Sequence, residues 1–106
     1  MNNKSITEYF DLSGKVAVVT GGSRGLGLAM SSAFAAVGAN VVIASRKLDN
    51  CESAAAEIAS DTGQDCLGVT YHAGEWDACE RLLDATLTRF GRVDVLVNNA
   101  GMSPLY

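Results

Sequence analysis

The residues with the most chemical promise lie in one short segment, Thr20-Gly21-Gly22-Ser23-Arg24-Gly25-Leu26-Gly27. It follows the apolar run Val16-Ala17-Val18-Val19 and opens onto a helical pattern, so it reads as a strand-to-helix turn. Glycines in such a turn permit positive φ and let the main chain approach a ligand closely. The helix that follows offers free N–H groups and the positive end of its dipole, a setting made for a phosphate or pyrophosphate. Gly27 carries no side chain where that helix must press on the sheet. A P-loop is excluded, because no Gly-Lys-Ser/Thr closes the segment. The alternative is a glycine-rich turn that binds nothing.

Positioning such a turn requires a sheet, and the chain supplies the pattern for one. From Leu26 the apolar residues Leu26, Ala29, Met30, Ala33, Phe34 and Val37 fall on one predicted helical stripe, and Gly38 stands where a left-handed cap is cheapest. Val41-Val42-Ile43-Ala44 predicts a second buried strand. Asp49 and Glu52 have the spacing of a capping box for a helix with Cys51, Ala54, Ala55, Ile58 and Ala59 inward, ending at Gly63. Residues Cys66 to Tyr71 form a weaker strand, mixed in polarity and suited to a sheet edge. A third helix is predicted from about Glu75, with Trp76, Cys79, Leu83, Leu87 and Phe90 inward and Gly91 beyond its end. Val93 to Val97 is the fourth strand. This alternation predicts right-handed crossovers and an α/β fold with a doubly wound parallel sheet.

The fourth strand leads into a second glycine-bearing loop, Asn98-Asn99-Ala100-Gly101. In strand order 3-2-1-4, strands one and four are neighbours, so both loops flank one crevice at the carboxyl edge. Together these two motifs resemble the short-chain dehydrogenase/reductase family. The lead-in Leu12-Ser13-Gly14-Lys15 and the stretch Phe90-Gly91-Arg92-Val93-Asp94-Val95-Leu96-Val97 are also similar to it. The resemblance runs from about Asp11 to Pro104. It implies the cofactor-binding half of a nicotinamide-dependent oxidoreductase, a partial Rossmann-like domain over residues 1–106 with a polar lead-in at 1–13. It also implies that Gly21, Ser23, Arg24, Gly25, Leu26 and Gly27 line the phosphates and ribose. Asn98, Ala100 and Gly101 would lie on the adenosine side of the cofactor and brace the sheet.

The end of strand two bears on which nicotinamide cofactor is held. NAD enzymes usually place an acid there, about twenty residues past the loop, on the ribose 2′-hydroxyl. This chain has Ser45-Arg46-Lys47 instead. A guanidinium can form a bidentate pair with a 2′-phosphate, and Arg24 can approach the same group. The expectation is NADP(H) in preference to NAD(H), with Ser45 and Arg46 in the site. After strand three the family often has an acid or amide that meets the adenine. Here His72 stands in that region, either against the base or in a structural role.

The family's chemistry uses a Tyr-x-x-x-Lys pair and a serine. The tyrosines are Tyr9, Tyr71 and Tyr106; Ser13 and Glu75 lie four residues beyond the first two, and no such pair occurs. No catalytic residue is therefore assigned, and the 106 residues alone are expected to be inactive. Cys51, Cys66, His72 and Cys79 lack the spacing of a zinc knuckle, and the three cysteines read as buried and reduced.

At 106 residues the chain reads as one domain, with 48% hydrophobic and 19% charged residues. A net charge of −4 argues against nucleic acid as a partner. No apolar run is long enough to span a membrane, and Met1 to Phe10 has no signal-peptide core, so a cytoplasmic location is expected. The substrate would be a small carbonyl or alcohol in a complete protein, whose assembly as a homo-oligomer fits the same picture. The alternatives are a non-catalytic nucleotide-binding or regulatory module, and a fragment without function. Strand four, apolar on both faces at a sheet edge, is expected to promote self-association of the isolated chain.

Overall fold

Four short apolar runs become the strands of one parallel sheet: β1 (Val16–Thr20), β2 (Asn40–Ser45), β3 (Cys66–Thr70) and β4 (Val95–Asn98). Their order is β3-β2-β1-β4, the order expected for the sheet. The structure is a computed structural model that describes residues 9–99. Three helices connect the strands: α1 (Gly25–Ala36), α2 (Leu48–Thr62) and α3 (Ala78–Phe90). β1 and β2 are central and accept almost no solvent on either face, which is why they are written in Val, Ile and Ala without alternation. Ala17, Val19, Val41 and Ile43 point to the face covered by α1 and α2; Val16, Val18, Val42 and Ala44 point to the α3 face.

Two helices turn a different face to the sheet from the one their large apolar residues suggest. The sheet side of α1 is Gly27, Ser31 and Ala35, whereas Leu26 is 69% exposed and Ala29 and Ala33 face outward. Small residues at i, i+4 and i+8 let the helix lie close on the strands, and Ser31 is buried safely because its hydroxyl donates to the Gly27 carbonyl (2.9 Å). Leu28 and Phe34 fill the flank of that contact. In α3 the inward residues are Ala78, Leu82 and Thr86, while Trp76 is fully exposed and Cys79 and Leu87 also face outward. Residues 75–77 form a turn, with the Glu75 amide donating to the His72 carbonyl and the Ala78 amide to that of Glu75. The helix begins after it, at Ala78, so Trp76 lies outside the helix. Thr86 is tolerated inside because its hydroxyl donates to the Leu82 carbonyl (2.8 Å).

The capping box expected at α2 is not formed: Lys47 occupies the N-cap without a side-chain bond, and Asp49 lies in the first turn. The inward stripe of α2 is as expected for Cys51, Ala54, Ala55 and Ile58, and the helix ends at left-handed Gly63. Among the described residues no helix is long and apolar enough to cross a membrane.

β1 and β4 are clasped at their amino ends. The Asp94 amide donates to the Val16 carbonyl and the Val16 amide donates to Asp94 Oδ2, each at 2.9 Å. Arg92 holds the same carboxylate through two 2.8 Å bonds. The Arg92 hydrogen bonds, then the Val16 amide, hold the Asp94 carboxyl below its ordinary 3.8. An acid with a lower pKa folded than unfolded adds stability above the unfolded value and loses it as pH falls through that value toward the folded one. Asp94→Asn is therefore expected to flatten the fall in urea midpoint between about pH 6 and about pH 3. The same slope in both proteins would remove Asp94 from the acid response.

Among the described residues β4 pairs with β1 alone, and Leu96 is 49% exposed. An apolar strand at such an edge recruits other strands. Leu96→Lys is expected to reduce light scattering and hydrophobic-dye binding by the chain. A wild-type chain that is already monomeric and dye-negative would show that the edge recruits nothing.

Candidate functional site

The site lies at the carboxyl edge of the sheet, where the loops after β1, β2 and β4 meet. Its frame is backbone. The Gly21 amide donates to the Ala44 carbonyl (2.6 Å), turning the chain sharply off β1 toward the end of β2, and Gly21 makes that turn at φ +67°. Gly27, on the first turn of α1, lies against Gly21: a Cβ there would overlap the Gly21 carbonyl oxygen and come within 2.7 Å of its carbon. Asn99 closes the packing from the other side, its side-chain amide 3.5 Å from the Gly21 carbonyl. Gly22 and Gly27 have no room for a Cβ, whereas Gly25, Arg24 and Leu26 are exposed at the edge.

Thr20 ties the β1 and β4 walls together. Its side-chain oxygen accepts the Asn99 amide (2.8 Å), and its hydroxyl faces Asn98 Oδ1 (3.1 Å) and the Val97 carbonyl (3.3 Å). Thr20 and Asn99 were absent from the residues predicted to line the site. The available signal for Thr20 was a hydroxyl residue ending a strand otherwise apolar throughout.

α1 presents its amino terminus at this edge. Arg24 is its N-cap in extended conformation, no acidic residue occupies the first turn, and the first intrahelical bond runs from the Leu28 amide to the Arg24 carbonyl. The amides of Gly25, Leu26 and Gly27 thus precede the first bonded turn. Ser23 reaches across to β2, its hydroxyl donating to Ser45 Oγ (3.2 Å). Arg24 and Arg46, the residues after those serines, are both exposed. Arg81, Arg89 and Arg92 each pair with carboxylates. Among the described residues no carboxylate lies within ion-pairing distance of Arg24 or Arg46.

The structure thus brings together Gly21, Ser23, Arg24, Gly25, Leu26, Gly27, Ser45, Arg46 and Asn98 at one edge. His72 stands half-buried just beyond β3, at the same edge but on the outermost strand. Ala100 and Gly101 lie outside the described residues.

A family described as short chain dehydrogenase matches residues 15–105. The chain belongs to the short-chain dehydrogenase family. It is 37% identical over 106 residues to dehydrogenase/reductase SDR family member 4 of Oryctolagus cuniculus, covering all of this chain and 40% of that protein. It is 41% identical over 97 residues to 11-beta-hydroxysteroid dehydrogenase 1A of Arabidopsis thaliana, covering 90% of this chain and 27% of that one. The L-sorbose reductase of Gluconobacter frateurii, solved with NADPH and L-sorbose, superposes with a TM-score of 0.82 at 37% identity, over 87% of this chain and 35% of that one. RhlG of Pseudomonas aeruginosa, in an NADP active-site complex, gives 0.81 at 38% identity over 91% of this chain and 38% of its own. The chain therefore spans 40% or less of each of these short-chain dehydrogenases.

Proposed function

We propose that this chain is the cofactor-binding part of an NADP(H)-dependent oxidoreductase acting on a carbonyl or alcohol. The observation that carries the reading is the pair Arg24 and Arg46, two guanidiniums without carboxylate partners among the described residues, beside a glycine loop and a helix terminus without a side-chain cap. Two anionic groups fit this edge. A pyrophosphate suits the amides of Gly25, Leu26 and Gly27 and the positive end of α1. A 2′-phosphate suits Arg24 and Arg46, with Ser23 and Ser45 between them. The overlap that any Cβ at Gly27 would create with the Gly21 carbonyl supports a first turn of α1 held tightly against the loop. Asn98 would lie on the adenosine side with Ala100 and Gly101, and His72 against the base. When bound, the nicotinamide group would give a hydride to a carbonyl or take one from an alcohol, and these residues would bind and orient its carrier. Relatives solved with NADPH or NADP, the L-sorbose reductase and a metagenomic short-chain oxidoreductase among them, support the choice of cofactor. The cysteines are free thiols, compatible with a reducing cytoplasm.

Titration should show tighter binding of NADPH than of NADH. Arg46→Ala should weaken NADPH on the order of 10- to 100-fold, the worth of one hydrogen-bonded charge, and leave NADH nearly unchanged. Equal affinity of the unsubstituted chain for both cofactors would overturn the assignment of NADP(H).

A further inference from the structure

We propose that Cys51 is a positioning residue for cofactor choice, acting through a hydrogen-bonded chain that runs from Cys51 to Ser45 to Ser23. The inference rests on the reading of Arg24 and Arg46 as the 2′-phosphate pair and adds what holds them in place. Cys51 is fully buried in the first turn of α2 and belongs to the same core cluster as Ala54 and Ile58. Its sulfur lies 2.9 Å from Ser45 Oγ, and its S–H faces the Ser45 carbonyl at 3.7 Å. Ser45 Oγ in turn accepts the Ser23 hydroxyl at 3.2 Å. A residue of the glycine loop is thus tied through the end of β2 to the hydrophobic core.

The two residues tied together are the immediate predecessors of Arg24 and Arg46. The arginine side chains are long and exposed, so the spacing of their main-chain origins is what the fold can preset. The chain of hydroxyls and thiol fixes that spacing. A fork of two guanidiniums around one phosphate gains from such presetting, because less freedom is lost on binding. A ribose with a bare 2′-hydroxyl makes no use of the fork and gains little.

Cys51 has its own seat. The first turn of α2 descends onto Gly68 of β3, where a Cβ would come within 2.7 Å of the Cys51 carbonyl carbon and 2.8 Å of the Glu52 nitrogen. Gly68 lacks a side chain, so α2 settles low enough for the thiol to reach Ser45. Nothing in the spacing of Cys51 pointed to this role; its stripe marks it only as core.

Cys51→Val keeps the apolar volume and deletes the hydrogen bond, whereas Cys51→Ser keeps the bond. Dissociation constants for NADPH and NADH are measured for both variants, with Arg46→Ala in parallel. Cys51→Val is expected to weaken NADPH roughly 3- to 10-fold, as for one lost neutral hydrogen bond, to leave NADH unchanged, and to be restored by Cys51→Ser. A change of equal size for both cofactors, or none for either, would make Cys51 a packing residue and overturn the proposal. If Arg46→Ala changes the ratio and Cys51→Val does not, this proposal fails alone. If Arg46→Ala has no effect, the 2′-phosphate reading itself fails. Should Cys51→Val lose its helical circular dichroism, Cys51→Ala carries the same comparison with the same deciding ratio.

Discussion

Gly27→Ala is expected to abolish measurable cofactor binding and to destabilise the chain by about 1–3 kcal/mol, the range for overpacking a tight contact. The added methyl overlaps the Gly21 carbonyl, which is backbone and cannot rotate away. It also comes within 3.0 Å of the Asn99 amide nitrogen. Relief requires either lifting the first turn of α1 off the loop or pushing the loop away from the end of β2. Both movements displace the amides of residues 25–27 from the position where an anion would meet them. Urea unfolding and NADPH titration check the two parts separately. A variant that melts and binds like the parent would show that α1 can shift freely, and the close contact would then have no bearing on the site.

Residues 1–106 alone are expected to transfer no hydride to or from any carbonyl or alcohol. A positioned general acid or base is typically worth 10²–10⁴-fold, and no tyrosine here has a lysine four residues on. Tyr9 is exposed ahead of β1, and Tyr71 packs beside the α3-side core, away from the glycine loop's wall with β4. Turnover of a substrate panel above a boiled control would mean that a different proton donor serves within these residues. Tight NADPH binding without turnover is also what a nucleotide-sensing module would give. A longer form of the protein carrying a Tyr-x-x-x-Lys pair, assayed alongside, separates the two readings.

The sheet and the glycine turn that frames the candidate site were legible in the sequence because both depend on patterns that local physics enforces. Unbroken runs such as Val41 to Ala44 leave little choice except a strand covered on both faces. A glycine cluster between such a run and a helix leaves little choice except a tight turn. The helix faces of α1 and α3 were misread for a shared reason. Counting large apolar residues assumes that bulk faces inward. Gly27, Ser31 and Ala35 instead win the inward face of α1 by letting it approach, and Thr86 enters the core of α3 by satisfying its own hydroxyl. The Asp49 and Glu52 pair had capping spacing, yet the helix starts two residues earlier than that cap would allow. Thr20 and Asn99 meet partners 77 to 79 positions away, and spacing along one chain carries no trace of such contacts, whereas Cys51 meets Ser45 only six positions away, through the turn between β2 and α2.

The clasp between β1 and β4 sets an order of events. Val16 meets Asp94, and Thr20 meets Asn98, across 78 positions of chain, whereas Ser23 meets Ser45 across 22. Distant pairings form later, since the entropy of closing the loop is lost before the contact repays it. β1 and β2 can thus assemble with one wall of the crevice still missing. A nucleotide that touches both walls binds only the closed arrangement, and its binding energy adds to the stability of that last pairing. The ligand would then act as the final fastener of the sheet, slowing the release of β4 more than that of any other strand.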